Sequence, residues 1–283
     1  MTTVRLLKYE GLGNDFLICL DPAGLPRDAV AGEAARAAFA RFVCDRRRGL
    51  GADGLIVAEA PELGGDVAMN LRNSDGAPAE TSGNGLRCLA LCLVDEGLVK
   101  GSDVLVETVA GLRACAVRSA PVAGCAEVRA EMGDVVVGER DEPAAELPDS
   151  WRARRADTGN PHLVLFGGAL EELDIEGVGR RLETAREGGQ NVEAIAPAGG
   201  SLDLVVWERG AGRTQACGSG SVAAAAVARS LGLVGDTVEV HNPGGTLMVE
   251  LAAHDGSLVA FLSGPACRIG RVDLTFDAGG VLS

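Results

Sequence analysis

The sequence predicts an α+β protein of two pseudo-symmetric, strand-rich domains, each a curved sheet or barrel around a central helix. Its 283 residues suit two domains of ordinary size, and its hydrophobic content of 47% is that of a globular protein. Two helical segments of equal length, beginning at Ser82 and at Cys217, each close on the tripeptide Gly-Leu-Val. Short apolar runs between glycine-rich turns surround both segments, which is typical of strands.

The predicted elements of the first half begin with two strands, Val4 to Leu7 and Phe16 to Leu20, on either side of a glycine turn. The alanine-rich segment from Val30 to Cys44 has large apolar residues at helical spacing and predicts a helix. The first central helix follows Ser82, where a Gly-Asn-Gly run precedes an apolar segment. Further strands are predicted at 55–58, 67–72, 104–108, 112–117 and 126–131.

A shift in composition at residues 119–124 predicts the domain boundary, so the domains span 1–123, completed by 265–283, and 124–264. The second central helix begins after Cys217, where glycines precede an alanine-rich run. The other predicted elements of this half are a proline- and acid-rich loop at 139–148, a turn at 159–163, a helix within 170–186, strands at 191–195 and 204–207, strands near Val238 and Leu247 around a turn at 242–245, and a strand at 268–276 that returns to the first domain.

The net charge of −14 argues against nucleic acid or an anionic membrane as a partner. No apolar N-terminal signal segment and no run of about 18 apolar residues occur, so we expect a soluble, cytoplasmic protein without a membrane partner. In that setting the eight scattered cysteines are expected to be reduced thiols and not a disulfide framework. Cys88 and Cys92 are interpreted as core residues, and no metal site is predicted.

The stretch from Glu208 to Gly220 carries the strongest functional signal, because it joins a strand end, a glycine turn and a cysteine at the start of a helix. Unpaired amides and the positive end of the helix dipole favour the thiolate of Cys217. The same amides can bind a carboxylate. The pattern therefore predicts chemistry at the α-carbon of an acid, with Ser82 at the equivalent position of the first half.

Six motifs occur in order along the chain, at residues 11–16, 49–54, 73–85, 159–162, 191–192 and 208–220. Together they resemble the diaminopimelate epimerase family over nearly the whole length. The resemblance implies a cofactor-independent racemase fold with the active site in the cleft between two pseudo-symmetric domains. It also implies a homodimer, and two groups that transfer protons on opposite faces of the α-carbon of diaminopimelate, for lysine and peptidoglycan precursor synthesis.

The resemblance assigns roles to individual positions. The implied catalytic residues are Cys217 and Ser82, with His162 and Glu208 tuning the proton-transferring groups. The implied substrate-binding residues are Asn14, Asn73, Gly83, Asn84, Asn160, Asn191, Glu208, Arg209, Gly218 and Ser219. Among them, Arg209 and the asparagines are expected to hold the remote carboxylate, since a guanidinium fork pairs well with it.

The chain departs from the family at Ser82, which stands where the family has its first catalytic cysteine. A hydroxyl is a much poorer resting base than a thiol, although it can donate a proton to a carbanion. Alternatives therefore stay open: an epimerase of another amino acid, a lyase that uses Cys217 as base, or an impaired amino-acid-binding protein. Ser82 also has a structural alternative, because serine is a preferred helix N-cap.

Overall fold

The computed structural model describes residues 2–25, 32–79, 82–119, 122–142, 147 and 150–276. The chain forms two compact units, Met1–Val128 with Pro265–Ser283, and Arg129–Gly264. The sequence-based domains, 1–123 with 265–283 and 124–264, stay a prediction. The predicted boundary, the loop at 139–148 and the start of the helix predicted from residue 30 fall partly outside the described residues.

The first unit is an eight-stranded barrel around a helix. Its strands are β1 (Thr2–Gly11), β2 (Asn14–Cys19), β3 (Gly54–Glu59), β4 (Val67–Asn73), β5 (Asp103–Thr108), β6 (Gly111–Ser119), β7 (Cys125–Asp134) and β16 (Ser257–Phe276). They pair in that order, and β16 also pairs antiparallel with β1, which closes the ring. Helix α1 (Glu33–Cys44) packs on β3 and β4, whereas helix α2 (Gly83–Asp95) is buried over most of its length and is the predicted central helix.

The second unit repeats the arrangement of strands around a buried helix. Its own strands are β8 (Val136–Val137), β9 (Arg152–Asp157), β10 (Pro161–Phe166), β11 (Asn191–Ala198), β12 (Ser201–Glu208), β13 (Gly212–Arg213), β14 (Thr237–Asn242) and β15 (Gly245–His254). The pairing order is β8-β9-β10-β11-β12-β14-β15-β16, and β13 pairs with β12. Helix α3 (Ile175–Glu183) packs on β11 and β12, and helix α4 (Gly218–Ser230) is buried from Gly218 to Ala228. The α+β prediction with a central helix in each half is confirmed.

Most predicted elements are present, with shifts at their ends that have local causes. The helix expected within 170–186 is a short 3-10 turn, Leu170–Glu172, followed by α3. Helix α3 begins late because Asp174 caps it, accepting a hydrogen bond from Gly177 N–H at 3.0 Å. The turn predicted at 159–163 is shorter than expected, since β10 already begins at Pro161 and pairs with β9 and β11.

The expectation that all cysteines are reduced is wrong for two of them. Cys125 and Cys267 form a disulfide, with their Cα atoms 4.0 Å apart. Their separation of 142 positions hides this pairing in the sequence, and it becomes possible because β16 runs beside β7. The other six cysteines are free and buried, which confirms Cys88 and Cys92 as core residues.

Candidate active site

Cys217 is the N-cap of helix α4 and is almost completely buried. Its φ and ψ of −121° and 116° are extended, as an N-cap requires, so that the side chain turns back over the first helical turn. The Sγ atom accepts a hydrogen bond from Gly220 N–H at 3.3 Å and lies 3.5 Å from Ser219 Oγ. The predicted cysteine at a helix start is therefore present, with its sulfur held by the helix amides.

The electrostatic surroundings of Cys217 favour the thiol. Burial raises the pKa of Cys217 well above its ordinary value, and the nearby carboxylates of Glu208 and Glu193 raise it further. Hydrogen bonds with Ser219 and Gly220 lower the pKa but do not outweigh these effects. The sequence analysis expected the helix start to favour the thiolate. The hydrogen bonds there do lower the pKa of Cys217, but by less than burial and the two carboxylates raise it. The raised pKa favours the protonated thiol of Cys217, and such a thiol needs a neighbouring base before it can accept a proton.

Glu208, at the end of β12, is placed to be that base. Burial raises the pKa of its carboxyl group, while hydrogen bonds from Thr214 and Cys217 act in the opposite direction. Thr214 Oγ1 donates to Glu208 Oε1. Glu208 is close enough to the thiol for each group to act on the pKa of the other, which makes its carboxylate a candidate to take the thiol proton. The structure therefore brings together Glu208 and Cys217 as the sequence analysis expected.

His162 is fully buried on β10 and contacts a group of polar side chains. Its Nδ1 is 2.8 Å from Glu193 Oε1, and its Nε2 is 2.9 Å from Asn160 Oδ1 and 3.1 Å from Thr158 Oγ1. The parallel pairing of β10 with β11 sets His162 near Glu193, because it places their strands side by side. His162 and Asn160 are therefore in direct contact, and Glu193 joins them without having been predicted.

Asn191 and Arg209 meet at the junction of β11 and the turn after β12. Asn191 Oδ1 accepts from Arg209 N–H at 2.9 Å, and Asn191 Nδ2 donates to Pro161 O at 3.2 Å. Asn191 thus ties the turn to the strands. The guanidinium of Arg209 donates to Gly188 O at 3.3 Å, and its aliphatic stem packs against Gly189. This contact holds the side chain at the edge of the turn.

Ser82 occupies the same local position in the first unit as Cys217 does in the second. It is the N-cap of α2, with φ and ψ of −139° and 109°, and Gly85 N–H donates to its Oγ at 2.9 Å. Gly83 and Asn84 follow it as Gly218 and Ser219 follow Cys217, and all four are buried in the first helical turns. The repeat seen in the sequence is therefore also a repeat of the cap geometry.

Asn14 and Asn84 belong to one chain of hydrogen bonds in the first unit. Leu12 and Gly13, with φ of 56° and 82°, form the two-residue turn between β1 and β2 that presents Asn14. Arg87 Nη2 donates to Asn84 Oδ1 at 2.8 Å, and Asn84 Nδ2 donates to Asn14 Oδ1 at 3.2 Å. The two predicted asparagines are thus in contact. Asn73, by contrast, is the exposed last residue of β4, where it pairs with Gly54 of β3.

The chain of hydrogen bonds ends on a charged cluster. Asn14 Nδ2 donates to Asp53 Oδ2 at 2.9 Å, and Arg46 Nη2 lies 2.7 Å from carboxylate oxygens of both Asp53 and Asp15. Lys8 Nζ is 2.8 Å from Asp15. Burial alone would raise the pKa of Asp15, but hydrogen bonds from Arg46 and Lys8 outweigh it and lower the pKa to about 2. Asp53 and Arg46 therefore anchor Asn14.

The sequence analysis did not single out several residues that support these sites: Arg46, Asp53, Arg87, Glu193 and Thr214. Asp53 lies inside the motif at residues 49–54, and Arg87 follows the motif at residues 73–85. Their closeness to these motifs is the sequence signal that could have identified them. Glu193 had a signal too, as a charged residue in an apolar run that forms a buried strand. Within the described part of the chain, no group of three His, Cys, Asp or Glu side chains is suited to hold a metal ion.

Comparison with known proteins places this geometry in context. Residues 6–137 and 155–269 match the family described as diaminopimelate epimerase. A diaminopimelate epimerase from Methanocella arvoryzae is 34% identical, covering 98% of this chain and 100% of its own. One from Prochlorococcus marinus is 35% identical, covering 94% and 91%. The structure of a probable proline racemase from Agrobacterium radiobacter covers 97% of this chain and 93% of its own with a TM-score of 0.75 at 17% identity, so it shares the fold.

Proposed function

Because the chain belongs to the diaminopimelate epimerase family, we propose that it interconverts LL- and meso-diaminopimelate by moving the proton of one α-carbon. The observation that carries the proposal is the buried thiol of Cys217 at the start of α4, held 3.3 Å from Gly220 N–H and close enough to Glu208 for that carboxylate to raise its pKa. This arrangement supplies a proton-transferring group beside amides that suit a carboxylate. The product would enter lysine and peptidoglycan precursor synthesis.

The proton transfers are assigned to Cys217 and Ser82. Once Glu208 holds the thiol proton, the thiolate removes the α-proton, and negative charge develops on the substrate α-carboxylate. Amides at Gly218 and Ser219, and at Gly83 and Asn84, stabilise that charge. The Ser82 hydroxyl then donates its proton to the opposite face of the carbon, and the cycle closes when Ser82 regains a proton from solvent and Glu208 releases to solvent the one it holds. All steps use side chains of this chain, so the proposal needs neither pyridoxal phosphate nor a metal.

Ser82 makes the two directions of the reaction chemically unequal. A hydroxyl donates readily to a strongly basic carbanion, but it removes an α-proton far less readily than a thiolate does. The hydrogen bond from Gly85 N–H supports the oxygen when it carries negative charge. The proposal therefore places the slow step on the direction in which Ser82 must act as the base.

The remote end of the substrate is assigned to polar side chains at strand ends and in turns: Asn14, Asn73, Asn160, Asn191 and Arg209. A guanidinium group and amide N–H groups suit a carboxylate, which distinguishes diaminopimelate from an amino acid with an apolar side chain. Asn191 contributes by holding the backbone of Arg209. A substrate whose remote end lacks a carboxylate should therefore bind weakly.

We further propose a cytoplasmic homodimer. Among the described residues no helix is long and apolar enough to cross a membrane. Disulfides are uncommon in the cytosol. The Cys125–Cys267 bond is therefore the feature of the structure that bears most directly against a cytoplasmic location. Peptide mapping of extracts alkylated before lysis measures whether Cys125 and Cys267 are paired in the cell: free thiols there support the cytoplasmic location, and a disulfide contradicts it. Sedimentation of the purified protein measures the oligomeric state.

Incubation with LL-diaminopimelate in deuterated water tests the proposed activity directly. The expected result is the meso isomer with deuterium at the inverted carbon. Elimination of the substrate would instead identify a lyase, and tight binding without exchange would identify an impaired binding protein. Either outcome overturns the proposal, as does faster epimerisation of an amino acid without a remote carboxylate.

A further inference from the structure

Glu183 is the last residue of helix α3, and its carboxyl group is hydrogen-bonded to the residues on either side of Glu208 and Arg209. Its Oε2 accepts from the indole Nε1–H of Trp207 at 2.7 Å. Its Oε1 accepts from the backbone N–H of Gly210 at 2.9 Å. An indole N–H and a backbone N–H can only donate, so these contacts have a single possible direction. One carboxyl group therefore links the end of β12 to the turn that follows it.

The backbone of Glu183 also closes the loop that leads from α3 to β11. Its carbonyl oxygen accepts from Gln190 N–H at 3.1 Å. Two glycines of this loop contact the Arg209 side chain. Arg209 Nη1 donates to Gly188 O at 3.3 Å, and a Cβ atom added to Gly189 would lie 2.9 Å from Arg209 Cδ. Glu183 thus holds both the turn that carries Arg209 and the loop against which its side chain packs.

Helix α3 packs on β12 closely enough for Glu183 to reach this turn. A Cβ atom added to Gly179 would lie 2.5 Å from Trp207 Cβ, so glycine allows the helix to approach the indole. Trp207 is itself fixed by strand pairing, with Val192 of β11 on one side and Arg213 of β13 on the other. The indole therefore offers Glu183 a hydrogen-bond donor on a paired strand.

Glu208 depends less than Arg209 on the Glu183 carboxyl group. Glu208 is the last residue of β12, where it pairs with Gly212, and its side chain accepts a hydrogen bond from Thr214. Gly210, by contrast, has a φ of 76° and lies in the turn outside the strands. Loss of the Glu183 contacts should therefore displace Arg209 more than Glu208.

We propose that Glu183 is a positioning residue that holds the turn after β12, and that it thereby sets how tightly Arg209 binds the remote carboxylate of the substrate. The inference rests on the proposed function for the identity of that carboxylate. Glu183 acts through the backbone of the turn and the loop beside it, and Arg209 makes the contact with the ligand.

A purely electrostatic role for Glu183 predicts the opposite effect. A carboxylate beside Arg209 repels a second carboxylate, so removing its charge should strengthen the binding of the ligand. If Glu183 instead holds the turn, removing one of its acceptor oxygens should weaken that binding. The direction of the change therefore separates the two roles.

Two ligands that differ only at their remote end test the inference. α-Aminopimelate keeps the remote carboxylate, and α-aminoheptanoate has a methyl group in its place. Titration calorimetry should show that the wild-type protein binds α-aminopimelate more tightly. Glu183→Gln keeps the size of the side chain, but its amide has a single acceptor oxygen for two donors. We expect this variant to bind α-aminopimelate about threefold to tenfold more weakly and α-aminoheptanoate almost unchanged.

The matched control is Glu187→Gln, which removes an exposed carboxylate from the loop between α3 and β11. This control should not weaken the binding of α-aminopimelate. Equal weakening in both variants, or none in Glu183→Gln, would overturn the proposal. A wild-type protein that binds both ligands equally would overturn it as well, because Arg209 would then hold no remote carboxylate.

Hydrogen exchange gives a readout that needs no ligand. The chain has two tryptophans, so Trp151→Phe assigns both indole signals in nitrogen-labelled protein. The Trp207 indole hydrogen or the Gly210 amide hydrogen should exchange with solvent faster in Glu183→Gln than in the wild type, because one of them loses its acceptor. Unchanged exchange at both positions would contradict the role given to Glu183.

Kinetics with diaminopimelate separate this inference from the proposed function. Glu183→Gln should raise KM by about the same factor as it weakens α-aminopimelate, with a smaller change in kcat. A fall in kcat at unchanged KM would contradict the positioning of Arg209. If the wild type has no activity on diaminopimelate, the proposed function fails, and the binding and exchange measurements decide the inference. If Glu183→Gln does not fold, Glu183→Asp, whose shorter side chain should reach one donor only, decides it.

Discussion

Gly85 donates its backbone N–H to Ser82 Oγ at 2.9 Å. The same contact occurs in the second unit, where Gly220 N–H lies 3.3 Å from Cys217 Sγ. In both helices a nucleophilic side chain caps the helix and a glycine stands three residues later. The two caps differ by one atom, oxygen in place of sulfur. The two repeated helix starts therefore do not carry a matched pair of thiols.

Cys217→Ala should abolish exchange of the substrate α-proton with solvent while the fold stays intact, because no other thiol stands at either repeated helix start. Deuterium incorporation measures exchange, and circular dichroism measures folding. The matched control is Cys88→Ala, a buried thiol inside α2 that should keep most of the activity. Exchange near the parent rate in Cys217→Ala would place the base elsewhere.

Ser82→Cys should raise turnover, because a thiol is a stronger acid than a hydroxyl and ionises far more readily to the thiolate that serves as the base. We expect a gain of at least about tenfold, which corresponds to about 1.4 kcal/mol of barrier. Initial rates in both directions measure it, and Ser74→Cys in an exposed turn is the control. If Ser82→Cys is no faster and Ser82→Ala stays active, Ser82 is only a helix cap.

Gly220→Ala should be more damaging than Gly85→Ala, although both replace the third residue of a helix. The added Cβ would lie 2.7 Å from the buried Glu193 Oε1 at Gly220, but no closer than 3.2 Å to any atom near Gly85. Such overpacking costs about 1–3 kcal/mol of unfolding free energy. Denaturant unfolding of the two variants compares them. Equal stabilities would show that the carboxylate moves away without cost.

Arg209→Met should weaken the use of diaminopimelate by about 2–5 kcal/mol in kcat/KM, because the remote carboxylate would lose its charged partner. An amino acid without a remote carboxylate should be affected much less. Arg213→Met, which removes an exposed guanidinium 3.9 Å from Glu176, is the control. An unchanged kcat/KM for diaminopimelate in Arg209→Met would assign the carboxylate to other residues.

The Asp15 cluster should make the protein lose stability in acid. The pKa of Asp15 is lowered from 3.8 to about 2 in the folded chain, so the contribution of this carboxylate is present above pH 4 and disappears as the pH falls through 2. The amount is about 2–3 kcal/mol. Asp15→Asn should remove this part of the pH dependence of the unfolding free energy. Asp273→Asn, at the more exposed pair with Arg5, should change it little.

Much of the fold could be predicted from local sequence. The glycine-bounded apolar runs gave the positions of most strands, and the helix formers after Ser82 and Cys217 gave both central helices. The repeat of those two segments predicted matching cap geometry, which the structure has. These features depend on neighbours in the chain, because turn chemistry, periodicity and capping act over a few residues.

Contacts between distant residues could not be predicted in this way. The disulfide joins Cys125 and Cys267 because β16 returns beside β7, and no spacing rule announces that pairing. The pairing of β10 with β11 likewise brings Glu193 to His162.

The sequence by itself predicted which side chains carry the chemistry, a cysteine and a serine at two repeated helix starts, and the structure places both as N-caps of their helices. The tertiary structure alone decided the protonation of the cysteine. Burial and the charges of Glu208 and Glu193 raise the pKa of Cys217, against the effect of its helix. Desolvation and charge depend on what surrounds a group in space. The local sequence therefore places Cys217 at a helix start, whereas residues more distant in the chain set the pKa of its thiol.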